Sequence, residues 1–268
     1  MRRRSQIEFI APETGTYYAG ISNLGNNFYD PNVAGSGSGW TFTGAFEPGP
    51  YLLNATLLPV DGFVADIVGT DDAETLEGDG ENNSIDALGG DDLVAGGLGD
   101  DTVFGGSGDD VLRGDANRRS AGGSNGGDDV ISGGAGNDRI GGKGGNDLLS
   151  GDSGDDEIFG DDGDDTIMGV TGNDTLTGDD FSGGSGSDVF VFGNGDGTDT
   201  ITDFDVTEDL IGLVEGELMF DELSITDSDM GAMISVIESG ETLAILQGVN
   251  SSELTSDLFV YTPDISLV

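Results

Sequence analysis

GGLGDDTVF (Gly96 to Phe104) is followed at once by GGSGDDVLR (Gly105 to Arg113). After an interruption the pattern resumes as GGAGNDRIG (Gly133 to Gly141), GKGGNDLLS (Gly142 to Ser150), GDSGDDEIF (Gly151 to Phe159), GDDGDDTIM (Gly160 to Met168) and GVTGNDTLT (Gly169 to Thr177). The period is nine residues, with Gly at the first and fourth places, an acid at the sixth and an apolar residue at the eighth. A fixed period outranks local propensity in deciding architecture.

The phase holds from Gly69 to about Phe192. Eighth places fall at Leu76, Ile85, Val94, Val103 and Leu112, then at Ile131, Ile140, Leu149, Ile158, Ile167 and Leu176. Sixth places fall at Glu74, Asn83, Asp92, Asp101 and Asp110, then at Asp129, Asp138, Asp147, Asp156, Asp165 and Asp174. A last unit, GGSGSDVFV (Gly183 to Val191), puts Asp188 and Phe190 in the same two places. Glu74 and Asn83 make the first two units weak.

Glycine at this density favours turns. Only the last three residues of each unit, such as Thr102 to Phe104, have strand character. Alternation points the middle one inward, so stacked units bury one ladder of Val, Ile and Leu. That ladder is thin. Each buried Leu or Ile contributes roughly 1.5–3 kcal/mol, against about 1–2 kcal/mol of backbone entropy for every residue ordered. The turns meanwhile stack carboxylate on carboxylate, and close like charges repel. A cation between the turns is required. The donors are carboxylates, Asn side chains and glycine carbonyls, all hard oxygens, which suit Ca²⁺ better than Mg²⁺. Zinc, copper and iron sites want His or Cys, and the chain has neither.

These units resemble the RTX (repeats-in-toxin) calcium-binding nonapeptide. The resemblance implies an all-β fold: a right-handed parallel β-roll in which two units make one coil and several Ca²⁺ ions sit between turns. It makes the sixth-place side chains ligands: Asp92, Asp101, Asp110, Asp129, Asp138, Asp147, Asp156, Asp165, Asp174 and Asp188. Carbonyls of the glycine-rich places complete the shell, represented by the fourth-place Gly99, Gly108, Gly136, Gly145, Gly154, Gly163 and Gly172. Without calcium the same composition, rich in Gly and Asp, is that of a disordered linker.

The 268 residues carry a formal net charge of −45 and a pI near 4.1. No basic patch exists to neutralise phosphates, so nucleic acid is excluded as a partner, and anionic membrane surfaces are disfavoured. No Lys or Arg follows Lys143, the only lysine. No apolar run reaches membrane-spanning length, and no apolar stretch follows Met-Arg-Arg-Arg-Ser-Gln as a signal peptide would require.

Residues 1–58 differ in character. Aromatics cluster there, and Ile7–Ile10, Thr16–Ser22, Trp40–Phe42 and Tyr51–Leu58 read as strands separated by turn signals. An antiparallel β-sandwich is expected. FIAPETGTYYAGISNLGNNFYDP (Phe9 to Pro31), GSGSGW and PYLLNATL resemble the C-terminal half of the bacterial pre-peptidase C-terminal domain, which implies a partial domain and a start inside a longer ancestral protein. Residues 59–68 are read as a joint and 69–192 as the roll, with Val64 to Val68 as its opening strand.

Two breaks interrupt the period. From Leu112 to Ile131 is nineteen residues, so either a degenerate unit survives with Arg119 in place of Asp, or the segment loops out. GDDFS (Gly178 to Ser182) is read as preceding the last unit. Residues 193–268 are read as a C-terminal cap. GNGDGTDTITDFDVTEDLIGL (Gly193 to Leu213) resembles the segment following RTX repeats in secreted proteases, and Asp199, Asp203 and Asp209 are weighed as completing the last calcium sites against a solvated strand edge. ELSITDS, AMISVIES and TLAILQGV alternate as antiparallel strands closing the roll's end. SSELTSDLFVY resembles the uncleaved tail of type I secretion substrates, which implies an exporter as partner and a secreted, extracellular or cell-surface location.

With no His, the chain lacks His-based triads, HExxH sites and His general bases. No Walker A motif surrounds Lys143. Carboxylate pairs abound, but a carboxylate held as a calcium ligand is a poor acid. The expectation is a non-catalytic calcium-binding protein. The alternatives are a surface adhesion or matrix protein, using aromatics around Tyr29 and Trp40 to bind a glycan or protein, and a remnant of a larger secreted enzyme.

Overall fold

The structure, a computed structural model, describes residues 65–115, 126–179 and 185–263 in full, and before them the backbone of four short strands. The chain divides into two compact units, Met1–Phe63 and Val64–Val268. In the first, Ile7–Ala11 pairs antiparallel with Gly49–Leu53, and Ala19–Gly20 pairs antiparallel with Gly39–Trp40. Antiparallel pairing is what an expected sandwich uses. Tyr29 lies outside the described residues, as do all side chains of this unit, so the aromatic cluster is not described. The pre-peptidase resemblance rests on sequence wording alone.

The second unit is a parallel β-roll. Successive strands alternate between two sheets. Thr75–Glu77, Leu93–Gly97, Val111–Asp115, Arg139–Gly144, Glu157–Asp162, Thr175–Asp179 and Asp199–Ile201 lie in one sheet. Ile67–Thr70, Ser84–Leu88, Thr102–Ser107, Val130–Ala135, Leu148–Ser153, Thr166–Thr171, Val189–Phe192 and Leu210–Val214 lie in the other. All these neighbours run parallel, with eighth place on eighth place: Leu112 faces Val94 and Ile140, and Leu149 faces Ile131 and Ile167. The eighth-place residues from Ile85 to Leu176, with Phe190, Ile201 and Ile211, are all 0% exposed. The nine-residue period is therefore half of an 18-residue coil, and the ladder is the core between the sheets.

The strands reach six residues in places, where the sequence predicts three. Pairing resumes after the first-place glycine, so that Gly134 faces Asp152 and Ala135 faces Ser153. The second place bends the chain instead. It is left-handed at Leu88 (φ 72°), Lys143 (91°), Asp152 (70°), Asp161 (78°) and Val170 (72°), conformations costing non-glycine residues about 1–2 kcal/mol each.

Both breaks prove to be insertions at one point of the nonapeptide. Val111–Asp115 and Val130–Ala135 are successive strands on opposite sheets, so no coil is missing and no degenerate unit intervenes. Gly114 and Asp115 take the first and second places, Gly126 to Asp129 the third to sixth, and residues 116–125 are inserted between. In the last unit the first place belongs to Gly178 rather than Gly183. A Cβ on Gly178 would stand 2.1 Å from Asp188 Oδ2, the relation that Gly151 has to Asp156 Oδ2 at 2.2 Å.

The ladder runs on past Phe192. Ile201 pairs beside Leu176 and Ile211 beside Phe190, with the Phe204 ring 6.1 Å from that of Phe190. Thr242–Gln247 then joins Asp199–Ile201 in parallel and carries Gly231–Val236 and Leu223–Asp227 antiparallel beyond it. This meander covers one sheet's end with Ala232, Ile234, Leu243, Ala244 and Leu246, all buried. The other sheet is closed differently from expectation, by a single parallel strand, Phe259–Thr262, against Leu210–Val214. No helix among the described residues is long and apolar enough to cross a membrane.

Candidate metal centre

Two columns of turns join the sheets. Sixth places in one are Glu74, Asp92, Asp110, Asp138, Asp156, Asp174 and Asp199. In the other they are Asn83, Asp101, Asp129, Asp147, Asp165, Asp188 and Asp209. Each column is one hydrogen-bonded chain. Asp92 N–H donates to Asp110 Oδ1 at 2.8 Å, Asp110 N–H to Asp138 at 2.8 Å, Asp138 N–H to Asp156 at 2.7 Å, Asp156 N–H to Asp174 at 2.8 Å and Asp174 N–H to Asp199 at 3.0 Å. The second column repeats this from Asp101 to Asp129 (2.7 Å), Asp147 (2.8 Å), Asp165 (2.8 Å), Asp188 (2.9 Å) and Asp209 (3.0 Å). The weak units still fit, since Glu74 N–H donates to Asp92 Oδ1 and Asn83 N–H to Asp101 Oδ1. All ten predicted acids are therefore assembled in the columns, which Asp199 and Asp209 extend. Asp203 stands apart, accepting from the N–H groups of Gly178 and Asp179.

One oxygen of each carboxylate is spent this way. The other, Oδ2, is buried without a hydrogen-bond partner at Asp92, Asp101, Asp110, Asp129, Asp138, Asp147, Asp156, Asp165, Asp174 and Asp199. First-place glycine makes its room: a Cβ on Gly142 would stand 2.0 Å from Asp147 Oδ2. Burial, followed by neighbouring acids against the pull of the backbone N–H groups, pushes these carboxyls up. They reach about 6 at Asp101, about 7 at Asp138, Asp156 and Asp165, about 8 at Asp129 and Asp188, and about 9 at Asp147. Burying charge without a partner is expensive. Lys143 and Arg139 make ion pairs elsewhere, with Asp161 and Glu157.

The predicted fourth-place glycine carbonyls stack turn on turn. At Gly154 (φ 143°) a Cβ would lie 1.7 Å from the Gly136 carbonyl oxygen, so only glycine lets one turn stack on the next. The carbonyl oxygens of Gly99, Gly108, Gly145, Gly154, Gly163 and Gly172 stand likewise under Gly127, Gly136, Gly163, Gly172, Gly186 and Gly197. The arrangement thus offers partnerless carboxylate oxygens and stacked carbonyls, with no nitrogen or sulfur donor. That set fits a hard divalent cation with many oxygen ligands, which is calcium.

The sequence reading passed over the fifth place. There the bonds run the opposite way along the outer rim: Asn137 N–H donates to Asp109 Oδ1 (2.8 Å), Asp155 N–H to Asn137 Oδ1 (2.8 Å) and Asn173 N–H to Asp155 Oδ1 (2.9 Å). Asn146 N–H donates to Asp128 and Asp164 N–H to Asn146 in the other column. The regular Asp or Asn before each sixth-place Asp from Asp92 to Asp174 was the available signal.

Comparison with known proteins agrees. The family described as RTX calcium-binding nonapeptide repeat matches in four copies, at residues 68–103, 87–118, 124–149 and 141–176. No curated protein matches the chain. Among solved structures, the extracellular lipase LipA of Serratia marcescens is 18% identical with a TM-score of 0.26, over 77% of this chain and 42% of the lipase. A subunit of the mannuronan C5-epimerase of Azotobacter vinelandii is 18% identical with a TM-score of 0.28, over 77% of this chain and 90% of that subunit. The chain thus spans less than half the length of the lipase. Residues 68–118 and 124–176 of the roll match RTX calcium-binding nonapeptide repeats, and this matched part of the chain is a calcium-binding β-roll.

Proposed function

We propose that this is a secreted, non-catalytic protein whose roll takes up several calcium ions between successive turns and folds as it does so. The observation that carries the reading is the row of ten buried carboxylate oxygens without partners. The ligands are the ten predicted sixth-place acids with Asp199 and Asp209, completed by the stacked glycine carbonyls. Bound calcium would supply the positive charge that the columns lack. The sixth-place Oδ1 atoms, fixed by backbone N–H groups, hold each carboxylate so that Oδ2 faces the gap.

Folding and metal uptake are then one equilibrium. Extracellular modules bind calcium at about 10⁻⁴–10⁻³ M, so the chain stays open at cytosolic calcium and closes outside. Phe259–Thr262, within the tail that resembles a type I secretion signal, is packed as a sheet strand in the folded state. An exporter reading that tail must meet the chain before folding, which suits export of the calcium-free form. The absence of His and Cys supports a role without catalysis.

Circular dichroism during calcium titration of the chelated protein, with magnesium as control, tests this. A cooperative coil-to-β transition with calcium alone is expected. A spectrum unmoved by millimolar calcium would sink the reading.

A further inference from the structure

The two sixth places without Asp, Glu74 and Asn83, stand in the first coil. The strands Ile67–Thr70 and Thr75–Glu77, which lead into their turns, are the outermost of the two sheets. Among the described residues no coil stacks before them. Inside the columns a sixth-place carboxylate accepts the N–H of the coil before it, as Asp110 accepts from Asp92. Glu74 and Asn83 lack that donor and bond within their own turns instead. Thr70 N–H donates to Glu74 Oε2 at 2.7 Å, and Thr70 Oγ1 to Oε1 at 3.0 Å. Asp79 N–H donates to Asn83 Oδ1 at 2.6 Å. The second-place side chain then accepts from two residues on: Asp72 N–H donates to Thr70 Oγ1 (3.2 Å) and Glu81 N–H to Asp79 Oδ1 (2.9 Å).

These bonds fill the position that inner turns leave empty. Glu74 Oε2 lies 2.7 Å from a Cβ built on Gly69, and Asn83 Oδ1 lies 2.3 Å from one on Gly78. The partnerless Oδ2 of Asp101 holds the same place, 2.4 Å from a Cβ on Gly96. Asn83 also brings no charge to balance. The same pair of bonds recurs at the far end of the second column. There Asp205 N–H donates to Asp209 Oδ2 (2.8 Å) and Thr207 N–H to Asp205 Oδ1 (2.8 Å). Asp209 still accepts from Asp188 N–H on its Oδ1, so it is the column's last acid and its closure at once. At Asp101, Asp147 and Asp165, between these ends, the corresponding Oδ2 has no partner.

We propose that Glu74 and Asn83 are end caps of the columns and not calcium ligands, so that side-chain ligation starts at Asp92 and Asp101. The inference rests on the calcium reading above. Each cap replaces the missing coil with a local acceptor, the bonding that short polar side chains offer to backbone N–H groups in turns. Departure from Asp at the sixth place is then a stop for the stack, not decay of the repeat.

Calorimetric calcium titration and amide hydrogen exchange of the full chain test it together. Glu74→Ala and Asn83→Ala should take up as many ions as wild type, whereas Asp101→Asn should weaken uptake. In the two Ala variants at saturating calcium, exchange of the Thr70 or Asp79 N–H should quicken roughly fivefold or more, the loss of one net hydrogen bond. Should either fail to fold, Glu74→Gln and Asn83→Asp keep an acceptor and should show the wild-type ion number and exchange. An ion lost in Glu74→Ala or gained in Asn83→Asp, or unchanged exchange in the Ala variants, would overturn the proposal alone. A wild-type chain that takes up no calcium would overturn it together with the calcium reading.

Discussion

Deleting residues 180–184 should leave the roll intact. The bond from Asp165 N–H to Asp188 Oδ1 spans 23 residues, where that from Asp147 to Asp165 spans 18. The five extra residues lie between the second and third places, so the deletion joins Asp179 to Ser185. The new turn reads Gly178-Asp179-Ser185-Gly186, the residue types of Gly151-Asp152-Ser153-Gly154 in an unbroken coil. Two terms oppose each other. Closing a loop of five residues costs about 1.4 kcal/mol, from the logarithmic dependence on loop length, and the deletion removes that cost. Asp179 must then turn left-handed, as Asp152 does at φ 70°, for about 1–2 kcal/mol. The net change lies within about 1 kcal/mol of zero.

Adding Asp179→Gly removes the second term and leaves a gain of about 1.4 kcal/mol. For a unit of this size that raises the melting temperature by roughly 3–6 °C. The assay is thermal unfolding by circular dichroism at saturating calcium, comparing wild type, the deletion and the deletion with Asp179→Gly. A drop of more than about 6 °C in the double variant, equivalent to losing over 1.4 kcal/mol, would show that residues 180–184 belong to the coil and that the placement of Gly178 is wrong.

Leu149→Ala, in the middle of the ladder and 0% exposed, should cost about 2–5 kcal/mol by urea unfolding in calcium, and Leu76→Ala at the half-buried end less than half of that. Gly154→Ala should cost at least about 3 kcal/mol from strain and overlap with the Gly136 carbonyl, whereas Gly195→Ala, left-handed at φ 88° but with nothing within 4 Å, should cost about 1–2 kcal/mol; equal losses would refute the stacking argument. In the metal-free chain the raised column carboxyls, from about 6 at Asp101 to about 9 at Asp147, favour folding when protonated. Their contribution is complete below about 4, the unfolded value, and is lost as pH rises through 6 to 9. Acidifying the chelated protein from pH 8 to pH 5 should therefore increase its β signal, and a decrease would contradict the burial of these groups.

The ladder and the acid columns were legible because a period of nine survives any local ambiguity. Leu112 and Ile131 kept their identity even across nineteen residues. What the sequence hid was the point of insertion. Gly183-Gly184 imitates the start of a unit, and nothing in the string marks Gly178-Asp179 as the pair that the coil uses. Asp199 was weighed as a ligand from the sequence but could not be put in phase, for a related reason. Its turn, Gly193 to Asp199, has seven residues where Gly151 to Asp156 has six, so the count slips while the hydrogen bond from Asp174 N–H does not. The fifth-place Asp and Asn were regular in the sequence, but their bonds join residues a whole coil apart, and only stacking reveals them as acceptors.

The contrast between the fifth and sixth places bears on why the columns are acidic. Both places supply an oxygen to a backbone N–H one coil away. At the exposed fifth place Asn and Asp alternate freely, as Asp109, Asn137, Asp155 and Asn173 show, so an amide oxygen suffices for that bond. At the sixth place every residue from Asp92 to Asp209 is Asp, although burial makes charge most costly there. If stacking needed only an acceptor, the neutral amide of Asn would serve better in the buried column. The charge itself must be what the interior uses. Lys143 and Arg139 are paired with Asp161 and Glu157, outside the columns. The ten partnerless oxygens are where a cation from solution would balance the columns in the calcium reading.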